Sequence, residues 1–200
     1  MDRAILRDVS RYWFGDLASA DAFPADHAEI WFKQSDATDA EIAQRFGRWL
    51  KPAASQDWDL DGLSHTEGAG LVVLLDQFPR NMFRASAEAF AYDERARAIA
   101  RHFVATRFDD FYLIERTFLL LPFEHSENLA DQQEGVRLYA ALAAQVPAEQ
   151  TERYRGFLSF AEKHRDLIAR FGRFPHRNAV LGRPSTAEEA AFLAEKGRGF

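Results

Sequence analysis

Two stretches of the sequence combine proline, arginine and asparagine at the predicted end of a helix. The first is residues 78–81 (Phe-Pro-Arg-Asn), and the second, with an inserted histidine, is residues 174–178 (Phe-Pro-His-Arg-Asn). Proline lacks a backbone N–H and clashes with the carbonyl four residues earlier, so a helix ends or kinks there. An arginine fork can bind a carboxylate or a phosphate through two hydrogen bonds. We therefore predict one shared polar site in which Arg80 and Arg177 clamp a small anion.

A third stretch, residues 124–128 (Glu-His-Ser-Glu-Asn), puts carboxylates, an imidazole and a hydroxyl directly before a predicted helix start. A histidine held in one tautomer by a carboxylate can act as a general base or bind a metal. The spacing is neither the His-Glu-x-x-His of zinc hydrolases nor the paired Glu-x-x-His of di-iron bundles. We predict that His125 and Glu127 orient the two arginines, and that the site uses no metal or other cofactor.

The predicted ligand-binding residues share a polar or charged side chain at these helix ends. They are Asp76, Arg80, Asn81, His125, Glu127, His176 and Arg177. Asp76 precedes Arg80 by four residues, which is the spacing of a helical ion pair. The predicted partner is a small anionic molecule or a peptide, bound without turnover, and no residue is assigned a catalytic role.

A hydrolase is the first alternative. In it, His125 or His176 activates water, with or without a metal held by Glu124, Glu127 or Asp76.

A purely structural role is the second alternative, because buried polar groups must be hydrogen-bonded whatever their purpose. Phe174 would then fill the core and Arg177 would pair with an acid such as Glu127. His164 lies on an apolar helical stripe and is predicted to be an interior histidine. No role is assigned to His27, His65 and His102.

The composition argues against several classes of function. The chain has 200 residues, 47% of them hydrophobic, and no cysteine, which excludes disulfides, thiolate catalysis and cysteine-bound metals. A net charge of −6 argues against nucleic-acid binding through a basic face. No phosphate-binding glycine loop, dinucleotide fingerprint or nucleophile elbow is present. The arginines between Arg165 and Arg183 form a basic island, which could hold an anion or lie solvated on the surface.

No apolar run approaches the ~20 residues that cross a bilayer. Residues 1–8 alternate charged with apolar side chains, unlike a signal peptide. We expect a cytoplasmic protein that does not enter the membrane.

Apolar residues recur at helical spacing along the whole chain, which predicts an all-α fold. We expect about eight to nine helices in a single domain over residues 1–200, with short connections that pair consecutive helices antiparallel. The predicted helices are 2–14, 27–33, 39–50, 65–78, 87–106, 110–121, 129–145, 148–171 and 187–196. Predicted stops are Gly15, Pro52 and Gly172. Predicted caps are Thr38 with Glu41, Ser64 with Glu67, Asn128 with Asp131, and Ser185 or Thr186 with Glu188 or Glu189.

Residues 74–81, 121–127 and 173–178, with Trp-Phe-Gly at 13–15, together resemble a bacterial family catalogued as domain-of-unknown-function family 924. The similarity spans almost the whole chain, with the motifs in matching order. The resemblance implies an all-helical, tetratricopeptide-like arrangement of antiparallel helix pairs, and it implies no activity. The chain departs from the family pattern at Asn128, where Asp is expected, and at Ala85, where Gly is common.

Overall fold

The computed structural model describes residues 1–197, and every regular element within that range is helical. This confirms the all-α prediction. The α-helices are α1 (Ala4–Phe14), α2 (Ala25–Phe32), α3 (Asp36–Phe46), α4 (Leu50–Ser55), α5 (His65–Asp76), α6 (Phe78–Met82), α7 (Asp93–Thr106), α8 (Leu113–Glu124), α9 (Leu129–Ala143), α10 (Thr151–Phe171) and α11 (Ala187–Lys196). None of the helices in the described range combines the length and the apolarity that crossing a bilayer requires.

The chain divides into two compact units. The first comprises residues 1–84 and 88–122, and the second comprises residues 85–87 and the chain from Phe123 onward. The single domain predicted from the sequence stays a prediction.

The first unit is built around the contact between α1 and α5. Gly70 permits this contact, because a Cβ atom there would lie 2.9 Å from the carbonyl carbon of Leu6. α1 also contributes Trp13 and Phe14 to a buried aromatic cluster with Phe118 of α8. The ring centroids of Phe118 lie 5.9 and 5.1 Å from those of Trp13 and Phe14, edge to face, which is a geometry that aromatic quadrupoles favour.

The second unit is built around α9 and α10, which follow each other in the chain and pack together. Leu167 and Ile168 of α10 form a buried cluster with Phe174 from the segment that follows. Phe171 and Phe192 pack against its edge. Tyr154, Ala161 and His164 of α10 are buried as well, so the apolar stripe that carries His164 is the buried face of the helix.

Local capping chemistry sets several helix ends as predicted. Ser64 and Glu67 form a capping box at the start of α5, and Thr186 and Glu189 form one at the start of α11. Each box satisfies N–H groups that the first turn leaves without a partner. α10 ends at Gly172, whose φ of 70° is the left-handed conformation that glycine adopts without strain.

Several boundary predictions are wrong, among them one cap and one stop. Thr38 is not the cap of α3, because the helix begins earlier and the Ser35 hydroxyl accepts a 3.3 Å hydrogen bond from the Thr38 N–H. Pro52 does not stop a helix, since it lies in the first turn of α4. The N–H groups of a first turn have no intrahelical acceptor, so proline is tolerated there.

α8 also runs past its predicted end at Leu121. It continues through Pro122 and ends at Glu124.

Candidate functional site

Arg80 is held in an ion-pair network within the first unit. Its guanidinium donates two 3.0 Å hydrogen bonds to the Asp93 carboxylate, and it also donates to the backbone carbonyl of Asp76. The Asp76 carboxylate is fully buried, 3.6 Å from Arg80, which confirms the ion pair predicted from their spacing. Arg80 thus joins the α5–α6 junction to α7, a role that packing alone explains.

Asn81 makes a corresponding link to α3. Its amide donates a 2.8 Å hydrogen bond to Asp39, and Arg84 donates to the same carboxylate. Burial opposes the charge on Asp39, but the hydrogen bonds from Arg84 and Asn81 outweigh it and hold its pKa below the ordinary value. Asp39 is therefore a charged acceptor that ties α6 to α3.

Glu127 organises the segment after α10 in the second unit. It accepts hydrogen bonds of 2.6 and 2.9 Å from Arg183 and one of 2.8 Å from the Phe174 N–H. Burial raises the pKa of Glu127, but these hydrogen bonds outweigh it and leave the pKa below the ordinary value. Phe174 is fully buried, as the structural alternative predicts.

Imidazole groups cluster around Phe174. His164 donates from Nδ1 to the Phe160 carbonyl at 2.8 Å and lies 3.1 Å from the Glu124 carboxylate. Its ring centroid is 6.5 Å from that of His125. Burial lowers the pKa of His164 to about 3, so this side chain is a neutral interior histidine, in accord with its apolar stripe.

His176 and Arg177 lie against the same phenyl ring. The centroid of His176 is 5.5 Å from that of Phe174, and the guanidinium carbon of Arg177 is 4.4 Å from the same centroid. His164, His176 and Arg177 thus lie next to Phe174 within the second unit, and His125 lies beside His164.

The predicted residues therefore form two groups, one in each unit. Asp76, Arg80 and Asn81 belong to the first, and His125, Glu127, His176 and Arg177 belong to the second. The single pocket shared by Arg80 and Arg177 stays a prediction. Within residues 1–197, no group of three or more His, Asp or Glu side chains is placed to hold a metal ion.

The basic island is extensively paired with acids. Arg165 pairs with Asp166, Arg170 with Glu188, Arg173 with Glu189 and Arg183 with Glu127.

A cleft of about 350 Å³ opens in the first unit between α1, the start of α5 and the start of α8. We call it the His65 cleft. It is lined by Arg7, Ser10, Arg11, Gly15, Asp16, Leu17, Ser64, His65, Thr66, Tyr112 and Glu115. The capping box that begins α5 fixes His65 as the first residue of that helix. None of the predicted ligand-binding residues lines this cleft.

A buried carboxylate holds His65 in place. The Nδ1 atom of His65 lies 2.8 Å from Glu115, whose side chain is only 2% exposed. The same carboxylate oxygen accepts a 2.9 Å hydrogen bond from the Tyr112 N–H, and the Tyr112 ring stacks on the imidazole at 4.4 Å. The hydrogen bond to Glu115 raises the pKa of His65 above its ordinary value, against burial, which lowers it. His65 is therefore an oriented imidazole whose protonated form Glu115 stabilises.

Two arginines of α1 complete the cleft. Arg7 donates to the buried Glu67 carboxylate, and Arg11 donates from Nε to Asp16 at 3.1 Å. A guanidinium has five N–H donors in a planar fork, so each arginine retains donors beyond these bonds. The cleft consequently combines two guanidinium groups with one carboxylate-bound imidazole.

Reasoning from the sequence misses His65 because its partner lies 50 positions away. The residues around His65 in the sequence indicate only a helix start. The pairing arises because the fold brings the start of α8 next to the start of α5, and no local pattern encodes it.

Comparisons with known proteins give a family and a fold. The family described as "Bacterial protein of unknown function (DUF924)" matches residues 9–197. A solved structure of a protein of unknown function from Agrobacterium tumefaciens is 33% identical, with a TM-score of 0.79, over 96% of this chain and 98% of that one. No curated protein matches the chain.

Proposed function

Because the chain belongs to the bacterial DUF924 family, which is described only as of unknown function, we propose a function from its own geometry: it binds a small acid in the His65 cleft. The ligand class is a carboxylate or a phosphate. The observation that carries the proposal is the convergence of Arg7, Arg11 and a carboxylate-oriented His65 on one cleft of about 350 Å³.

The distribution of charge supports an anionic ligand. The carboxylates of Glu67 and Glu115 are 8% and 2% exposed and already accept hydrogen bonds from protein groups. Arg7 and Arg11 are 52% and 69% exposed. The two guanidinium groups are therefore exposed to solvent, whereas the carboxylates of Glu67 and Glu115 are buried. Asp16 is an exposed partner, and exposed ion pairs contribute little, so a ligand can replace it.

The hydrogen-bond donors that line the cleft also favour an anionic ligand. Arg7, Arg11 and protonated His65 can only donate, and the hydroxyls of Ser10 and Thr66 can donate as well. Since Nδ1 of His65 is engaged by Glu115, Nε2 is the nitrogen available to a molecule in the cleft. A donor-rich surface matches the oxygens of a carboxylate or phosphate, and charge-assisted hydrogen bonds to such groups are the stronger kind.

Sulfate is a suitable probe because its charge does not change near neutral pH. Isothermal titration calorimetry should show binding that weakens by about 10- to 100-fold in Arg11→Gln and in His65→Gln, as expected for the loss of one charged hydrogen bond of ~1.5–3 kcal/mol.

Two exposed side-chain pairs outside the cleft supply matched controls. Arg155 pairs with Glu152, and His102 pairs with Asp61. Arg155→Gln and His102→Gln should leave sulfate affinity unchanged. Equal losses in the cleft variants and the control variants would refute the proposal.

The proposal extends to a larger ligand, a peptide. In this version the protein is a tetratricopeptide-like helical array that binds the peptide. The packing of α9 on α10, two helices consecutive in the chain, supports such an array. A peptide ending in a free carboxylate would place that group in the cleft.

The pocket predicted from the Pro-Arg-Asn motifs remains a separate proposal. The alternative is that these residues serve only to hold helices together. The contacts of Arg80 with Asp93 and of Glu127 with Arg183 support that alternative. Sulfate titration of Arg80→Gln separates the two, because a ligand-binding arginine lowers affinity when it is removed, whereas a structural one lowers stability alone.

A further inference from the structure

We propose that the His65 cleft hydrolyses a phosphate monoester, with protonated His65 donating a proton to the leaving oxygen. This inference rests on the proposed function, since it requires that a phosphate group bind in the cleft. The observation behind it is that a buried carboxylate engages Nδ1 of His65, a lining residue of the cleft, so Nε2 is the ring nitrogen left to reach a molecule bound there.

A second histidine in the same unit shows what is particular about His65. His102 also bonds to a carboxylate at 2.8 Å, but its partner Asp61 is 70% exposed, whereas Glu115 is 2% exposed. Water solvates an exposed carboxylate and screens its effect on the imidazole, while a buried one acts at low local dielectric. Glu115 therefore stabilises an imidazolium more strongly than an exposed carboxylate does.

The position of Glu115 is itself fixed. It lies in the first turn of α8, and the oxygen that contacts His65 also accepts the Tyr112 N–H at 2.9 Å. The Tyr112 ring stacks on the imidazole at 4.4 Å, and the face of an aromatic ring attracts a cation. The imidazolium is thus held from two sides before any ligand enters.

The arginines supply the remaining requirement, which is to hold the phosphoryl oxygens. Phosphoryl transfer depends mainly on positioning and on neutralising charge on the non-bridging oxygens. Arg7 and Arg11 lie one helical turn apart on α1, and both line the cleft. Their free N–H donors can bind the non-bridging oxygens while Nε2 faces the ester oxygen.

The reaction balances with water as the only co-reactant. The water oxygen forms a bond to phosphorus, and the bond from phosphorus to the ester oxygen breaks. The Nε2 proton of His65 passes to that oxygen, so the alcohol leaves neutral. The attacking water then gives a proton back to Nε2, which restores the imidazolium and leaves inorganic phosphate.

Several charged groups face His65 and set the pH range of this step. Glu115 of α8 and Asp110 before it favour the imidazolium, whereas Arg107 after α7 opposes it. Arg7 and Arg11 of α1 oppose it across the cleft, and Asp16 and Glu67 partly neutralise those two arginines. Because the imidazolium is the proton donor, turnover should fall as pH rises through the pKa of His65.

The test compares two substrates that differ in their need for a proton. Phenolate is a poor leaving group, whereas p-nitrophenolate departs readily without protonation. His65→Gln should reduce kcat for phenyl phosphate by about a hundredfold or more, the usual range for general acid catalysis. The same variant should reduce kcat for p-nitrophenyl phosphate by less than about tenfold, while the loss of anion binding raises KM for both substrates. Glutamine retains an N–H donor for Glu115, and His102→Gln is the matched control, expected to act like the wild type.

The outcomes separate this inference from the proposed function. Equal loss on both substrates, or wild-type turnover no faster than that of His65→Gln, overturns the inference. If sulfate still binds in that case, the cleft is a binding site alone. Should His65→Gln fail to fold, the wild-type enzyme carries the test, since acid catalysis predicts similar rates on the two esters and its absence predicts much slower hydrolysis of phenyl phosphate.

Discussion

Replacing Gly70 with alanine tests the contact between α1 and α5 on which the first unit and the His65 cleft depend. The added Cβ would lie 2.9 Å from the carbonyl carbon of Leu6, and closer still to its oxygen. These are backbone atoms of a helix, so no side-chain rotation relieves the overlap. Overpacking a tight site costs about 1–3 kcal/mol, and we take the upper end because the helices themselves must separate.

Alanine also favours a helix over glycine by about 1 kcal/mol. The net loss for Gly70→Ala is therefore about 2 kcal/mol, which for a chain of this size lowers Tm by roughly 4–8 °C. Gly156 in α10 is the control, because a Cβ there meets no atom within 4 Å. Gly156→Ala should raise stability by about 1 kcal/mol.

Thermal and urea unfolding monitored by circular dichroism measure both variants. The Cβ at position 70 would also approach the backbone of Ser10, which lines the cleft. Gly70→Ala should therefore weaken sulfate binding as well, whereas Gly156→Ala should not. If the two variants were equally stable, the close contact of α1 and α5 would be refuted.

Three further predictions concern stability. Arg80→Gln should cost about 2–3 kcal/mol in urea unfolding, since it leaves the largely buried Asp93 without its two hydrogen bonds; an unchanged midpoint contradicts the structural role. Ala85→Gly should add about 0.5–1 kcal/mol, because alanine is strained at a φ of 57° and glycine is not; a loss of stability would show that this strain is absent. His164, with its pKa lowered to about 3 by burial, binds a proton on unfolding. Below about pH 6.5 it should therefore remove up to ~1.4 kcal/mol of stability per pH unit, and His164→Gln should flatten that acid limb in pH-dependent unfolding.

The parts of the fold that sequence reasoning predicts are those set by neighbouring residues. Two helix starts are predicted correctly, at Ser64 with Glu67 and at Thr186 with Glu189, because both partners of each capping box lie within one turn. Gly172 ends α10 because only a left-handed residue fits there. Wherever the deciding interaction lies within a few positions, the pattern in the sequence is sufficient.

The errors in helix boundaries arise where the local sequence is compatible with two different positions of a helix end. Proline breaks a helix when it lies in the interior, but it is tolerated in the first turn. Pro52 lies in the first turn of α4 because a 3₁₀ turn precedes that helix. Ser35 and Thr38 are both competent caps, and the earlier one is used. Propensity does not distinguish such cases, because tertiary packing determines where the helix begins.

The candidate site is harder to predict than the fold for a similar reason. Asp76 and Arg80 are paired as their helical spacing predicts, but the fork of Arg80 on Asp93 joins residues 13 positions apart across different helices. His65 and Glu115 are separated by 50 positions. The residues of a motif are neighbours in the sequence, whereas a pair such as His65 and Glu115 is formed by tertiary packing and has no local sequence pattern.

The most direct test of the central claim is the NMR titration of the His65 imidazole with and without sulfate. We predict that its pKa lies above the ~6.5 of an unperturbed histidine, because of Glu115, and that saturating sulfate raises it further, since an anion in the cleft favours the imidazolium. The imidazole signals of His102 should not respond to sulfate. A His65 pKa at or below ~6.5, or one that sulfate leaves unchanged, would contradict the assignment of this cleft as an anion-binding site.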